Sequence, residues 1–183
     1  ETKREALGSD NEIRVICSEL DKKDIRNFLT SIFTDSIFTP EPEPLYYLKF
    51  SGPETYNNLK TQAQVVVAAV ARDPENSGYQ LVKRLLPPDQ FSDAFKQLFM
   101  VINAGSEEQL MGTVKSKKNF IRKQYFDQFV DRQSRYIFGD DRNKKLEDSL
   151  ETEFGWSLKI PWGWEIIRAS KDSQFVWIGK EMP

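Results

Sequence analysis

The stretch Val65-Val66-Val67-Ala68-Ala69-Val70-Ala71 decides how the rest of the chain is read. It is uninterrupted, apolar and largely β-branched, with none of the alternation of a half-exposed strand. Such a run marks a central strand covered on both faces. Upstream of it, Tyr46, Leu48 and Phe50 alternate with polar positions and mark another strand. Between the two, Ser51-Gly52-Pro53-Glu54 has capping-box spacing and opens a short helix through Tyr56 and Leu59. Further upstream, Ile13, Val15 and Cys17 alternate with Arg14 and Ser18 as in a half-buried strand. Asp21 then caps a helix whose apolar stripe is Ile25, Phe28, Leu29, Ile32 and Phe33. Thr39-Pro40-Glu41-Pro42-Glu43-Pro44 is a stiff loop, because alternate prolines remove donors and hold the chain extended.

Downstream, residues 74–90 are rich in Pro, Gly and Asn, with a short strand at Leu81–Leu86. Phe91 and Phe95 stand four apart as in a helix, and Leu98–Asn103 reads as a strand. Ser106-x-x-Gln109 caps a long helix to about Ile137, with Leu110, Val114, Ile121, Tyr125 and Phe129 on one side and Gly139 as its breaker. Another helix runs from Asp141 to Glu153 and stops at Gly155. Three short strands close the chain, at Ser157–Ile160, Glu165–Arg168 and Gln174–Ile178. The order predicts an α+β domain with helices packed on a mixed, mainly antiparallel β-sheet. Residues 1–11 are polar and read as a flexible tether, and 12–183 as a single α+β domain.

Composition removes whole classes of chemistry. The 183 residues include no histidine and one cysteine. No Ser-His-Asp or Cys-His site, histidine-ligated metal or intrachain disulfide can be built within such a chain. No cofactor is expected. Twenty-six Lys and Arg face twenty-eight Asp and Glu, a net charge of -2, which argues against a generic nucleic-acid binder. No apolar run approaches the roughly 18 residues needed to cross a bilayer.

Five features remain as candidate sites. All four tryptophans, Trp156, Trp162, Trp164 and Trp177, lie in the tail. Trp162 and Trp164 flank Gly163 and could offer flat faces to a sugar, peptide or partner; alternatively, alternate residues of a hairpin fill the core, leaving Trp162 the most exposed. Between Lys115 and Arg135, seven basic residues, Lys117, Lys118 and Arg122 among them, stand against Asp127 and Asp131, a local charge of +5. That face suits an anionic headgroup or polymer; alternatively it is a solvated face with i,i+4 pairs such as Lys123–Asp127 and Asp131–Arg135. Asp140-Asp141 fits the first turn of a helix better than a cation loop. Glu41 and Glu43 could act as an acid/base pair, or simply solubilise a loop. Cys17 shares the inward face of Ile13 and Val15 and reads as a core residue.

Several segments together resemble a known family. They are Asn11-Glu12-Ile13-Arg14-Val15, Pro42-Glu43-Pro44-Leu45, Phe154-Gly155-Trp156-Ser157-Leu158-Lys159-Ile160-Pro161-Trp162-Gly163 and Phe175-Val176-Trp177-Ile178. In this order and spacing they resemble the domain-of-unknown-function family numbered 4837, uncharacterised envelope lipoproteins of Gram-negative bacteria. The likeness runs from about Gly8 to Pro183 and departs at Phe91-Ser92-Asp93-Ala94-Phe95-Lys96-Gln97, where the family carries a Trp-Ala-x-Pro-Gln stretch. The resemblance implies an extracytoplasmic location in the bacterial envelope, periplasmic or at the outer membrane. It also implies a lipid anchor on a removed N-terminal segment and a protein continuing past Pro183. It carries over no catalytic residues.

The expected function is therefore a non-enzymatic envelope domain with a binding or structural role. Its partner would be another envelope protein or a cell-wall polymer, with no nucleic acid, and membrane contact only through the anchor. One alternative is binding of cell-wall glycan or anionic polymer through Trp162, Trp164, Lys117, Lys118 and Arg122. Another is a hydrolase working through carboxylates or a Ser-Lys pair, for which the sequence shows no activated-nucleophile signature.

Overall fold

In chain order the elements are β1 (Glu12–Ile16), α1 (Lys22–Ile32), β2 (Ser36–Phe38), β3 (Pro42–Pro44), β4 (Tyr47–Ser51), a 3-10 turn (Pro53–Thr55) running into α2 (Tyr56–Leu59), and β5 (Gln64–Val70). There follow β6 (Gly78–Lys83), β7 (Leu98–Ala104), α3 (Glu107–Phe138), α4 (Lys144–Phe154), β8 (Glu165–Ser170) and β9 (Phe175–Gly179). They come from a computed structural model that describes residues 4–33, 36–38, 40–70, 78–83, 94, 96–139 and 141–180. Contacts divide the chain into two units, Glu1–Phe129 and Val130–Pro183, with α3 running from the first into the second.

The apolar run becomes β5, the middle strand of a five-stranded sheet of order β4-β1-β5-β7-β6. β1 pairs parallel with both β4 and β5, β5 pairs parallel with β7, and only β6 runs antiparallel, against β7. The α+β class and the mixed sheet are those the sequence predicts. The expectation of mainly antiparallel pairing is corrected for this sheet. Parallel neighbours need a long crossover, and the helical segments between β1, β4 and β5 supply it. The two small sheets, β2 with β3 and β8 with β9, are antiparallel.

Register explains why one face of the sheet is the core. Val15 stands beside Val66, and Val66 beside Met100. The shared face therefore carries Ile13, Val15 and Cys17, then Val66, Ala68 and Val70, then Leu98, Met100, Ile102 and Ala104, all buried. Onto it pack Ile25, Phe28, Leu29 and Ile32 of α1 and Leu110, Val114, Ile121 and Tyr125 of α3. The opposite face of β5 closes at Val65 but opens along the strand, with Val67 half-buried and Ala69 exposed, so coverage on both faces holds only at its start. Thus α1 and α3 lie on one side of the main sheet.

A second, polar anchoring lies at the start of β5. Gln64, Gln97 and Gln128 are all buried, and each amide ties down backbone carbonyls. Gln128 Nε2 donates to the carbonyls of Ala63 (2.8 Å) and Lys96 (3.1 Å). Gln97 Nε2 donates to those of Lys60 (2.5 Å) and Gln62 (2.7 Å), and Gln64 Nε2 to that of Asp10 (3.0 Å). Around them Ala6, Ala63 and Ala94 form a small apolar cluster. Part of the stretch read as a tether is therefore docked: the Leu7 N–H donates to Thr61 (3.0 Å) and its carbonyl accepts from Ala63 (2.7 Å).

Several local expectations change. Pro42–Pro44 is a short strand opposite Ser36–Phe38, since prolines are tolerated where a strand has a free edge. Asp21 stands at the N-cap of α1 but caps no amide; its backbone is helical, and its carboxylate accepts from the Ser18 hydroxyl at 2.9 Å. The capping box at Ser51–Glu54 does not form, and Gly52 stands at the N-cap of the 3-10 turn. Residues 157–160 form no strand, and only Pro161 makes an isolated bridge, to Arg142. α4 starts later than expected, with Asn143 as its cap, its side chain accepting from the Leu146 N–H at 3.2 Å. Gly155 does end it, in the left-handed conformation at φ 74° that glycine adopts without strain. Of the strand read at Leu81–Leu86, residues 84–86 lie outside the described residues, as do Phe91, Phe95 and Asp140.

Candidate functional site

A concave feature of the first unit forms where α1 ends. The α1 stripe is pinned in the core down to Ile32, and Phe33 leaves helical geometry (φ -111°, ψ 41°) while its N–H still closes on Leu29 at 2.9 Å. Ile32 and Phe33 are thereby held side by side at the helix end. Leu45 and Tyr46 arrive from the proline-rich β3 and precede β4. Opposite them α3 presents Asn119, Arg122, Lys123 and Phe126, a spacing of three, four and seven that forms one stripe on a helix. Together these eight residues line a cleft of about 370 Å³, within the roughly 300–1,000 Å³ typical of small-molecule sites.

Burial divides the lining into floor and mouth. Ile32, Phe33 and Tyr46 are buried, whereas Asn119, Lys123 and Phe126 are exposed and Arg122 is half-buried. Behind the floor the rings interlock edge to face. Phe33 lies 5.3 Å from Tyr46 and 4.8 Å from Tyr125, and Tyr46 lies 6.3 Å from both Tyr125 and Phe129. Neither phenol hydroxyl, on Tyr46 or Tyr125, has a hydrogen-bond partner among the described residues. Burial pushes both phenols well above the usual tyrosine range, so they stay neutral and can only act as hydrogen-bonding groups, not as bases. At the mouth, Lys123 pairs with Asp127 at 2.8 Å across one helical turn.

The chemistry this arrangement supports is recognition. Among the described residues its titratable side chains are a guanidinium, an ammonium and a neutral phenol. Glu41 and Glu43 are exposed and do not line it, and among the described residues no group of three or more Cys, Asp or Glu could hold a metal ion. The cysteine is buried; burial, reinforced by the Asp21 carboxylate, pushes its thiol above the ordinary value.

Comparison with protein-family models, curated proteins and solved structures gives no match.

Of the residues singled out in the sequence, Arg122 is the one the structure brings to the cleft. Lys118 shares its side of α3 one turn earlier, half-buried, while Lys117 is exposed and turned about 100° away. The i,i+4 pairs Lys123–Asp127 and Asp131–Arg135 both form, the latter at 2.5 Å. Trp162 and Trp164 belong to the second unit. Trp162, beside the turn at Gly163 (φ 80°), is 69% exposed and is the most exposed of the four tryptophans. Trp164 is half-buried; its carbonyl accepts from Asn143 Nδ2 at 3.0 Å, and it borders a shallower hollow of about 270 Å³ with Leu146 and Ile166. Trp177 is 55% exposed and Trp156 37%, so the tail tryptophans do not fill a core. Sequence reading missed Ile32, Phe33, Leu45, Tyr46, Asn119, Lys123 and Phe126 as site residues. A signal existed for one of them: Phe126 falls outside the buried Ile121–Tyr125 stripe yet shares the stripe of Asn119, Arg122 and Lys123.

Proposed function

We propose that this chain is a non-enzymatic binding domain whose ligand site is the cleft between the end of α1, the Leu45–Tyr46 segment and α3. The observation that carries this reading is the cleft itself, with an apolar floor of Ile32 and Phe33 beneath a rim bearing half-buried Arg122 and exposed Lys123. An apolar cavity with a few convergent polar groups is the usual form of a small-ligand site. The test is a screen of small amphiphiles by ¹H–¹³C NMR, read on the methyl signals of Ile32 and Leu45. Saturable shifts confined to the cleft are expected; a screen that moves neither residue's methyls overturns the reading.

The resemblance to the numbered lipoprotein family supports placing this domain in the bacterial envelope, held by a lipid anchor, with an envelope protein or cell-wall polymer as partner. Metabolic labelling of the full-length protein with a fatty acid tests that placement, and an unlabelled, cytosolic product would refute it. A second reading rests on the exposed ring of Trp162, an aromatic face suited to cell-wall glycan. Retention on purified cell wall should then drop in Trp162→Ala, and unchanged retention removes the tryptophan from the account.

A further inference from the structure

We propose that two copies of this chain pair through β8, edge to edge and antiparallel, across a twofold axis that sets Glu165 of each copy opposite Arg168 of the other. The cleft plays no part in this contact, which lies wholly in the second unit. β8 and β9 form a sheet of two strands, so β8 has a neighbour along one edge and open backbone groups along the other. A two-stranded ribbon is marginal by itself, and an unpaired edge is a template for another strand. Of the two edges, that of β8 is the more accessible. Glu165, Ile166, Ile167, Arg168 and Ala169 are all exposed, whereas Val176, Ile178 and Gly179 of β9 are half-buried.

Charge decides the occupant. Edge strands are guarded by charges, often lysines, which repel their like when two copies approach. β8 instead carries one charge of each sign. Glu165 stands opposite Gly179 and Arg168 opposite Trp177, and those two are alternate residues of β9, so both charges lie on one face of the sheet. They are three positions apart yet share a face because the ladder shifts by one residue between Ile166 and Arg168. Neither side chain has a partner among the described residues. Glu165-Ile166-Ile167-Arg168 is therefore its own complement when reversed. Acid meets base twice, and the isoleucines, 37% and 55% exposed, meet each other between them. Such a contact uses the same patch on both copies and closes as a dimer. A foreign strand would have to bring matching charges of its own, whereas a second copy supplies them by symmetry.

Sedimentation velocity on the full chain tests the pairing. The paired segment is short, so the interface is small and the native protein should be half dimeric at a concentration on the order of 100 μM. Arg168→Glu sets like charges opposite each other at both ends of the contact and should weaken the dimer by at least about tenfold; Glu165→Arg should do the same. Mixed in equal amounts, these two variants carry opposite charges and should form a mixed dimer about as tight as the native one. The double variant, Glu165→Arg with Arg168→Glu, should restore self-association to within about threefold. Recovery in the mixture and in the double variant separates lost pairing from lost folding. A native protein that remains monomeric at about 1 mM overturns the proposal. So does a dimer that Arg168→Glu leaves as tight as before, or a mixture of the two single variants that stays monomeric.

Discussion

Glu147 concentrates more interactions than any other carboxylate described in the second unit. It is 7% exposed, accepts from the Ile160 N–H at 2.7 Å and from Arg142 Nε at 2.9 Å, and its other oxygen meets Arg142 Nη2. Arg142 first, and then the Ile160 amide, hold its carboxyl below the ordinary 4.5, against the opposing pull of burial. Glu147→Gln should lower the stability of this unit by about 2 kcal/mol, measured by urea unfolding followed through tryptophan fluorescence, since the loss is of charge-assisted bonds to a buried group. The pH dependence has a definite sign. A carboxyl whose folded pKa is depressed contributes fully above its unfolded value of 4.5, and that contribution drains away as pH falls through the folded pKa. Melting curves should therefore drop in acid more steeply for the native protein than for Glu147→Gln. Cys17 makes a simpler prediction: at 4% exposure and with a raised pKa, its thiol should react with Ellman's reagent only on unfolding. Prompt labelling of the native protein would contradict its placement in the core.

Among the elements, α3 shows what short-range sequence can specify. Ser106 Oγ accepts from the Gln109 N–H at 3.2 Å, and Gln109 Oε1 accepts from the Gly105 N–H at 2.7 Å, so the motif read in the sequence forms nearly as drawn. Ser106→Ala should cost about 1 kcal/mol in thermal or urea unfolding read by circular dichroism; no measurable change would mean that the cap adds nothing to the packed helix. Asp21 has the same chemistry and does not cap, because its backbone already turns helical and its carboxylate is engaged by Ser18. Capping motifs are thus legible as chemistry but depend on a backbone angle that neighbours set. The interior face of α3 divides the same way. Leu110, Val114, Ile121 and Tyr125 follow from helical spacing, whereas Gln128 is buried for the carbonyls it ties down, which no periodicity announces. Gln128→Leu keeps the volume and loses both bonds; a loss of about 2 kcal/mol is expected from the same unfolding measurement, and a neutral outcome would show that the Ala63 and Lys96 carbonyls find other partners.

Across the whole molecule, every tryptophan falls in the unit Val130–Pro183, where Trp162 and Trp177 stand well exposed. Native emission should be red-shifted and strongly quenched by acrylamide; a blue-shifted, protected spectrum would place those rings against a covering surface. By itself, the sequence determined that the chain is an α+β protein. It set its middle strand, the apolar stripe of α1, the cap of α3 and the glycine end of α4. Each of these follows from residue type and spacing within a few positions, where propensity and periodicity act. It also ruled histidine chemistry out of this chain. Only the tertiary structure decided that the main sheet is mostly parallel, because direction depends on which strands become neighbours across crossovers. The cleft, too, came from the fold alone. Its lining is drawn from positions 32 to 126, and nothing local to Ile32, Tyr46 or Phe126 records that packing α1 and α3 on one sheet face brings them around a common space.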